Sequence, residues 1–408
     1  MKIEKIVSKE ESRCINVVAS RVESLRINNS TQNTVRVYDN GCIGVEGGLG
    51  NADLATLQQQ ATAKLAQGIP YPETHENATK LHVDTTKHIF DEKEFIPKIQ
   101  KLLARLEKEN PEFLFSNKIM LNSSCESYES SDGVDYEYRG NQFIVSLVIK
   151  YKGSANIMDE EYGCEATYFN EEQICHDVKL KCDAFLTQLP HVDGDEVTVI
   201  GNAEPIQYAI QHLIADLYFN NASLLAGKLG QKLFNEKLSM TVNRDPNKQI
   251  NLPFFDAEGV VNEDFVNYIV KNGVLERLLT YKRSAAQYGA ENLGSASAAY
   301  NGVPNVGIGG FDLVNTAESL DQLIKGKAVY LSVTSGGDMT PSGDISMPTM
   351  VAYLYEDGKL LGRLPEFAVS GNLFEILGDG FVGVTDKGFF KFGEQKYFVY
   401  KAKLVNKA

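Results

Sequence analysis

Two tight hairpin turns constrain the fold of this chain more than any other feature. Segment 268–279 reads as two short strands on either side of Asn272-Gly273, and segment 350–361 repeats the arrangement around Asp357-Gly358. Asn-Gly and Asp-Gly pairs supply the two positive-φ residues of a type I′ turn, whose twist matches that of the flanking strands. The C-terminal half is therefore expected to be rich in antiparallel strands, arranged as a barrel or a sandwich.

The N-terminal half mixes helical and strand periodicities. Apolar residues at helical spacing predict helices, period-two alternation predicts strands, and segment 68–87 has the composition of a long loop. These patterns indicate an α+β protein, with an N-terminal α/β domain (residues 1–190, helices on an antiparallel sheet) and a β-rich C-terminal domain (residues 191–408). The predicted helices cover 51–66, 92–109 and 171–188. The predicted β-structure consists of a strand at 14–27, a hairpin at 34–48, a meander over 113–169 with a turn at 139–141, and a strand at 196–200.

Length and composition agree with a two-domain protein of the cytoplasm. The chain has 408 residues, whereas a single core usually serves no more than roughly 250–300. No apolar run approaches the ~20 residues needed to cross a bilayer, and the N-terminus lacks the apolar core of a signal peptide. The six cysteines show no CxxC pair and no spacing typical of a disulfide framework. We therefore expect a cytoplasmic protein with no membrane partner.

The charge of the chain argues against direct contact with nucleic acid. The formal net charge is −14, and Lys and Arg residues are dispersed along the sequence. Such a chain presents a repulsive field to phosphate backbones. The basic stretch at 98–105 alternates with leucine at helical spacing, which is typical of the solvated face of a helix.

Several short segments recur in the order found in one known family. Together they resemble the TldD/PmbA family, whose members are often described as modulators of DNA gyrase. The resemblance covers most of the chain and is weakest in its middle. The matching segments are VRVYDNGCIG at 35–44, PFFDAEG at 253–259, IVKNGVL at 269–275, YKRSAAQYG at 281–289, GDIS at 343–346, LYEDGKL at 354–360 and VSGNLFEIL at 369–377.

The resemblance places special weight on a helix predicted from Pro205 to Leu217. In the TldD branch this region carries an HExxxH motif, in which two imidazoles bind zinc and the Glu activates a water molecule. Here Leu213 follows His212 where the Glu would stand, and Leu217 stands where the second His would be. Active relatives also use a cysteine near the C-terminus as a zinc ligand, but this chain has no cysteine beyond Cys182. The pattern resembles the PmbA branch, also called TldE, which lacks the zinc motif.

Two polar residues of this predicted helix are candidates for contact with a peptide or a partner. His212 and Asp216 stand four residues apart, so a continuous helix would place them on one face. The alternative interpretation is a solvated or locally hydrogen-bonded pair, which is common. We expect no catalytic residue and no metal ligand on this chain.

A metal site elsewhere in the sequence is a weaker alternative. His75-Glu76 begins like a zinc motif, but the next histidine is His82, about two helical turns away and within a segment of loop composition. His82, Asp84 and His88 could in principle collect a metal from a loop, although their spacing does not enforce convergence.

The resemblance implies a zinc-free subunit of a heterodimeric metalloprotease assembly that acts on unfolded peptides. In this hypothesis the chain alone is catalytically silent, the zinc belongs to a TldD-type partner, and an extended peptide adds a strand to a sheet edge. The isolated chain could also form homodimers, since related subunits share a fold. Two alternatives stay open: a self-sufficient metallopeptidase with a non-standard site, and a gyrase-associated regulatory binding protein.

Overall fold

The structure is a computed structural model that describes residues 1–91, 93–192, 196–201 and 204–406. It is a mixed α+β fold in which strand residues outnumber helical ones, at 43% and 20%. The α+β class predicted from the sequence is thus confirmed. The predicted helix over 92–109 begins at a residue, Glu92, that lies outside the described ranges.

The first half of the chain forms one large sheet and three helices. Its strands are long, and one of them extends over 19 residues. The elements in chain order are β1 (Lys2–Val18), β2 (Arg21–Asp39), β3 (Cys42–Leu49), α1 (Leu54–Lys64), β4 (Thr79–Asp84), α2 (Phe95–Glu109), β5 (Phe113–Ser130), β6 (Val134–Tyr151), β7 (Glu160–Ala166) and α3 (Glu171–Leu186).

The strands of this sheet run in the order β3-β2-β1-β5-β6-β4, and β7 also pairs with β6. All of its pairings are antiparallel except that of β4, which runs parallel to β6. Helix α2 is amphipathic, and its buried residues, among them Ile99 and Leu102, share a core with strand residues such as Phe115 and Phe143. The helices therefore cover one part of the sheet, as the sequence predicts.

Three local predictions in this half are wrong. The turn predicted at 139–141 does not exist, since β6 continues through it; the chain turns instead at 131–133, where Gly133 has φ +89°. The loop predicted over 68–87 contains β4. The single strand predicted over 14–27 is a hairpin that turns at Ala19 and Ser20, both of which adopt positive φ.

The second half of the chain contains shorter elements. They are β8 (Val197–Gly201), α4 (Glu204–His212), α5 (Ala215–Phe219), β9 (Met240–Asn243), β10 (Val266–Lys271), β11 (Val274–Leu275), α6 (Lys282–Tyr288), β12 (Ala296–Ser297), β13 (Asn305–Val306), β14 (Phe311–Leu313), α7 (Leu320–Leu323), β15 (Lys327–Thr334), β16 (Asp338–Met339), β17 (Asp344–Glu356), β18 (Lys359–Arg363), β19 (Phe367–Asn372), α8 (Leu373–Leu377), β20 (Phe381–Thr385) and β21 (Tyr397–Asn406).

Five of these strands close into a barrel. The order β15-β8-β21-β19-β17 returns to its start because β17 also pairs with β15. Apolar side chains from different strands, including Val199, Leu331 and Val369, form a common buried cluster. A closed sheet leaves no exposed edge along the closed part. Of the two arrangements expected for the C-terminal half, the structure therefore has the barrel.

A separate sheet packs beside the barrel with strand order β11-β10-β9-β14, and β10 and β11 form the first predicted hairpin. Its turn residues Asn272 and Gly273 have φ of 51° and 78°. The second predicted hairpin joins β17 to β18, and Asp357 and Gly358 have φ of 49° and 79°. Both predicted turns are confirmed.

The first sheet uses residues before position 190, and the barrel uses residues after it. The domain boundary at 190/191 itself stays a prediction. Among the described residues, no helix is long and apolar enough to cross a membrane.

The two hairpin turns give a matched test of close packing. A Cβ at Gly273 would overlap the backbone carbonyls of Phe234 and Asn235, whereas a Cβ at Gly358 would meet nothing within 4 Å. Both glycines have positive φ, which costs an alanine about 1–2 kcal/mol. We expect Gly358→Ala to lower the free energy of unfolding by that amount, and Gly273→Ala to lower it by about 2 kcal/mol more because the overlap adds to the strain. Urea unfolding measures both, and equal losses would contradict the packing at Gly273.

Candidate functional site

Helix α4 begins at Glu204 and ends at His212, so it stops before Leu217, where the predicted helix ends. The next residues leave the helix: Ile214 is extended, and α5 begins at Ala215. Two backbone hydrogen bonds fix this break, since Leu279 N–H donates to the Leu213 carbonyl at 2.7 Å and Ala215 N–H donates to the Leu279 carbonyl at 3.1 Å. The prediction of one continuous helix is therefore wrong.

His212 lies at the end of α4 and is hydrogen-bonded to the loop that follows α5. Its Nδ1 accepts a hydrogen bond from Leu224 N–H at 3.2 Å, and its carbonyl accepts one from the Ser223 hydroxyl at 2.7 Å. Burial lowers the pKa of the imidazole, which favours the neutral ring. Because Nδ1 is an acceptor, the proton of the neutral ring is on Nε2, and this atom is buried without a hydrogen-bond partner in the described part of the chain.

Asp216 belongs to the first turn of α5. The break at Leu213 and Ile214 separates it from His212, so these two residues do not share a helix face as expected. Their suggested contact with a peptide or a partner stays a prediction.

The residues at the end of α4 do not fit a hydrolytic zinc ion. A catalytic zinc needs about three protein ligands, and here His212 already uses Nδ1 to accept a backbone N–H. Leu213 is fully buried in the apolar cluster of the barrel, and Leu217 is also aliphatic. Across the described ranges, no three His, Cys, Asp or Glu side chains are grouped so that they could hold a metal.

The histidines considered as an alternative metal site have other partners. His82 lies on β4, and its Nε2 is 2.8 Å from an Asp135 oxygen. His88 is beside Asp91 at 3.7 Å. The structure therefore does not bring His82, Asp84 and His88 together as a site.

Two adjoining cavities lie along strand β14, and the smaller one also contacts α4. The larger, of about 810 Å3, is lined mostly by polar residues, among them Thr241, Asn243 and Tyr268. The smaller, of about 490 Å3, is mostly apolar and lies against Ile206 and Ile210 of α4. Both cavities are lined by Asp312, Leu313 and Lys396. We call the two together the α4 groove. No periodic pattern in the sequence indicates it, because its walls come from separate segments of the chain, at 206–210, 241–249, 266–268, 308–315 and 386–396.

Several residues of the family-like segments meet in a buried charged cluster. Glu4 of β1 is fully buried, with the ammonium groups of Lys2 and Lys282 and the guanidinium of Arg36 at 3.4, 3.6 and 3.6 Å. Tyr38 donates a hydrogen bond to Glu4 at 2.9 Å. This cluster joins the N-terminal sheet to the segment that follows Tyr281. Sequence reasoning missed it, because charged residues at a chain terminus are usually solvated.

Glu258 continues the cluster. One carboxylate oxygen accepts the backbone N–H of Lys282 at 2.8 Å, and the other accepts the Tyr71 hydroxyl. Burial, followed by the nearby Asp256 carboxylate, raises the pKa of Glu258 to about 7. At Glu4 burial acts in the same direction, but Lys282, Arg36 and Lys2 together outweigh it and lower the pKa of that carboxyl.

Segments of the chain match known proteins in sequence. Residues 203–392 match the family model described as the PmbA/TldA metallopeptidase C-terminal domain. A metalloprotease of Methanothermobacter thermautotrophicus is 31% identical over 190 residues, which cover 46% of this chain and 40% of that protein. An uncharacterized protein of Methanocaldococcus jannaschii is 25% identical over 260 residues, covering 60% of this chain and 59% of its own length.

Residues 203–392 thus belong to the C-terminal domain of the PmbA/TldD family. The fold of the whole chain is also similar to solved structures. TldE of Thermococcus kodakarensis superimposes with a TM-score of 0.80 at 15% identity, covering 100% of this chain and 97% of that one. A Thermotoga maritima protein, solved as a candidate modulator of a DNA gyrase, gives 0.77 at 17% identity, with coverages of 99% and 96%.

At 15–17% identity the TldD/PmbA structures establish the shared fold alone. The chain matches 59% or less of the length of the curated relatives. The family is related to metallopeptidases and includes proteins described as gyrase modulators.

The raised pKa of Glu258 gives a pH test of the charged cluster. The ordinary value of 4.5 applies to the unfolded chain and about 7 to the folded one, so the folded state holds the proton more tightly. Relative to Glu258→Gln, the wild type should therefore lose stability as the pH rises from 4.5 to 7, by on the order of 2 kcal/mol. Urea unfolding at a series of pH values measures this. The exposed Glu263→Gln is the control, and parallel pH profiles for wild type and Glu258→Gln would show that Glu258 does not titrate in this range.

Proposed function

We propose that this chain is a zinc-free subunit of a TldD/PmbA-type metalloprotease assembly that acts on unfolded peptides. The observation that carries the proposal is the end of helix α4. His212 is followed there by Leu213, which is fully buried among apolar side chains, and the helix stops. An aliphatic side chain neither binds a metal nor accepts a proton, so hydrolytic chemistry at this position belongs to another subunit.

Relatives support the two halves of this proposal separately. Matching proteins of Methanothermobacter thermautotrophicus and Methanocaldococcus jannaschii are named metalloproteases, which supports a role in peptide hydrolysis. The fold agrees with that of a TldE protein, and Leu213 and Leu217 at the positions of the zinc motif support the branch that lacks it. On this view the partner is a TldD-type subunit that holds the zinc. A homodimer is the alternative assembly for the isolated chain.

The α4 groove supports a peptide as the bound molecule. An extended chain offers backbone N–H and C=O groups together with side chains, and the groove offers a polar and an apolar cavity beside a strand. This chain would thus contribute to binding while its partner performs hydrolysis.

The charge argues against a direct action on DNA or on a DNA complex. A net charge of −14 repels phosphate backbones, so any link to gyrase would pass through protein contacts. The cytoplasm is the compartment we propose, because all six cysteines are free thiols.

The proposal predicts where zinc and activity are found. The purified chain should contain far less than one zinc per chain and should not cleave casein. Adding a TldD-type subunit that carries HExxxH should give a stable mixed dimer with peptidase activity. Elemental analysis, size-exclusion chromatography and a casein assay measure the three properties on the same samples.

A matched variant makes the assignment specific. His212→Ala should leave the zinc content of the mixed dimer unchanged, because His212 is not a zinc ligand. Changing the first histidine of the partner's motif should remove the zinc and abolish activity. One zinc per isolated chain, retained after brief chelation, would contradict the proposal. Casein cleavage by the chain alone would contradict it as well.

A further inference from the structure

We propose that strand β14 is a peptide-binding edge that the Asp312–Lys396 ion pair covers in the free chain. An extended peptide displaces this pair and binds alongside β14 as an added strand. The side chains of this peptide alternate between polar and apolar. The inference rests on the proposed function and specifies which edge binds the peptide and which side chains are preferred.

β14 is the terminal strand of the sheet β11-β10-β9-β14 in the described part of the chain. Its inner edge is paired with β9 and the residue before it: Asn243 N–H donates to the Gly310 carbonyl at 2.6 Å, and Val314 N–H donates to the Ser239 carbonyl at 3.1 Å. In an antiparallel ladder, residues alternate between the two edges. Leu313, between residues 312 and 314, therefore presents its backbone polar groups to the outer edge.

Side chains occupy the outer edge at Leu313. Its N–H donates to the Asp312 carboxylate at 2.8 Å, and its carbonyl accepts a hydrogen bond from the Lys396 ammonium. The two side chains also bond to each other at 2.7 Å. Together they satisfy the donor and the acceptor that a neighbouring strand would otherwise satisfy. Charged side chains commonly protect sheet edges in this manner.

The ion pair is partly exposed, and the Asp312 carboxylate has one further partner, the side-chain amide of Asn243, which donates to it at 3.2 Å. The Lys396 and Asp312 side chains remain 33% and 25% exposed, and ion pairs that reach solvent contribute little to stability. A peptide strand would replace the two bonds at Leu313, which are made to charged side chains, with neutral main-chain hydrogen bonds. Displacement therefore exchanges bonds without leaving Leu313 unpaired.

The cavities on either side of the ion pair define the side chains of the ligand. Successive side chains of a strand point to opposite faces of the sheet. One of the two cavities that meet at Asp312 and Lys396 is lined mostly by polar residues, and the other is lined by Ile206, Ile210, Ile308 and Phe311. A strand added at β14 would place one side chain in each, which favours a peptide with alternating polar and apolar residues.

Fluorescence anisotropy on the isolated full chain tests this inference with two labelled peptides. One alternates leucine with serine, and the other has the same composition with the leucines grouped. We expect the wild type to prefer the alternating peptide. Lys396→Met removes the ion pair but keeps the aliphatic stem, and should bind the alternating peptide on the order of tenfold more tightly. Asp312→Asn should act in the same direction.

A second pair of variants tests the apolar cavity. Ile308→Glu should weaken binding on the order of tenfold, because it places a charge on the wall of that cavity. Leu49→Glu, in the first sheet, is the control and should not change binding. Ile308 and Leu49 are 54% and 63% exposed, so both variants should fold, which circular dichroism checks.

Weaker or unchanged binding in both Lys396→Met and Asp312→Asn would overturn the inference, as would full binding by Ile308→Glu. No binding of either peptide by the wild type would also overturn it. The measurement requires neither zinc nor a partner. Its failure would therefore leave the zinc-free role untouched, and zinc in the isolated chain would refute that role without affecting the measurement.

Discussion

The backbone pairing between Leu213 and Leu279 is the interaction on which the site depends. It draws the chain out of helix α4 directly after His212 and directs the Leu213 side chain into the barrel core. A helix that continued for another turn could have carried a second ligand beside His212. Because the chain leaves the helix here, that position is filled by an aliphatic side chain, and His212 is bound to the loop that follows α5.

The charged cluster around Glu4 has a different role, which is to hold the N-terminal sheet against the C-terminal segments. Burying charges is costly unless each is paired. Here Glu4 has three cationic neighbours from three parts of the chain, so removing one partner would leave the others uncompensated. The family-like segments at 253–259 and 281–289 thus supply Glu258 and Lys282 to a structural cluster that lies apart from the α4 groove.

The sequence predicted the features that local chemistry determines. The turns at Asn272-Gly273 and Asp357-Gly358 were predictable because positive φ favours Asn, Asp and Gly, and helix α2 because its apolar residues recur at helical spacing. The turn at Ala19-Ser20 carries no such signal, and Gly140 suggested a turn where β6 in fact continues. The break after His212 depends on Leu279, 66 residues away along the chain from Leu213, so the apolar stripe of 205–217 gave no sign of it. Lys396 and Asp312 were also out of reach, since their contact joins distant segments.

The proposed peptide-binding edge and helix α4 line one cavity. The apolar cavity of the α4 groove lies against the same helix whose end excludes a zinc site, so a peptide bound at β14 would pass close to α4. The most direct test is a crystal structure of the chain with a TldD-type partner, with the zinc located by anomalous scattering at its absorption edge. We predict one zinc peak per mixed dimer, with every protein ligand on the partner. A peak bonded to His212 of this chain would contradict the central claim.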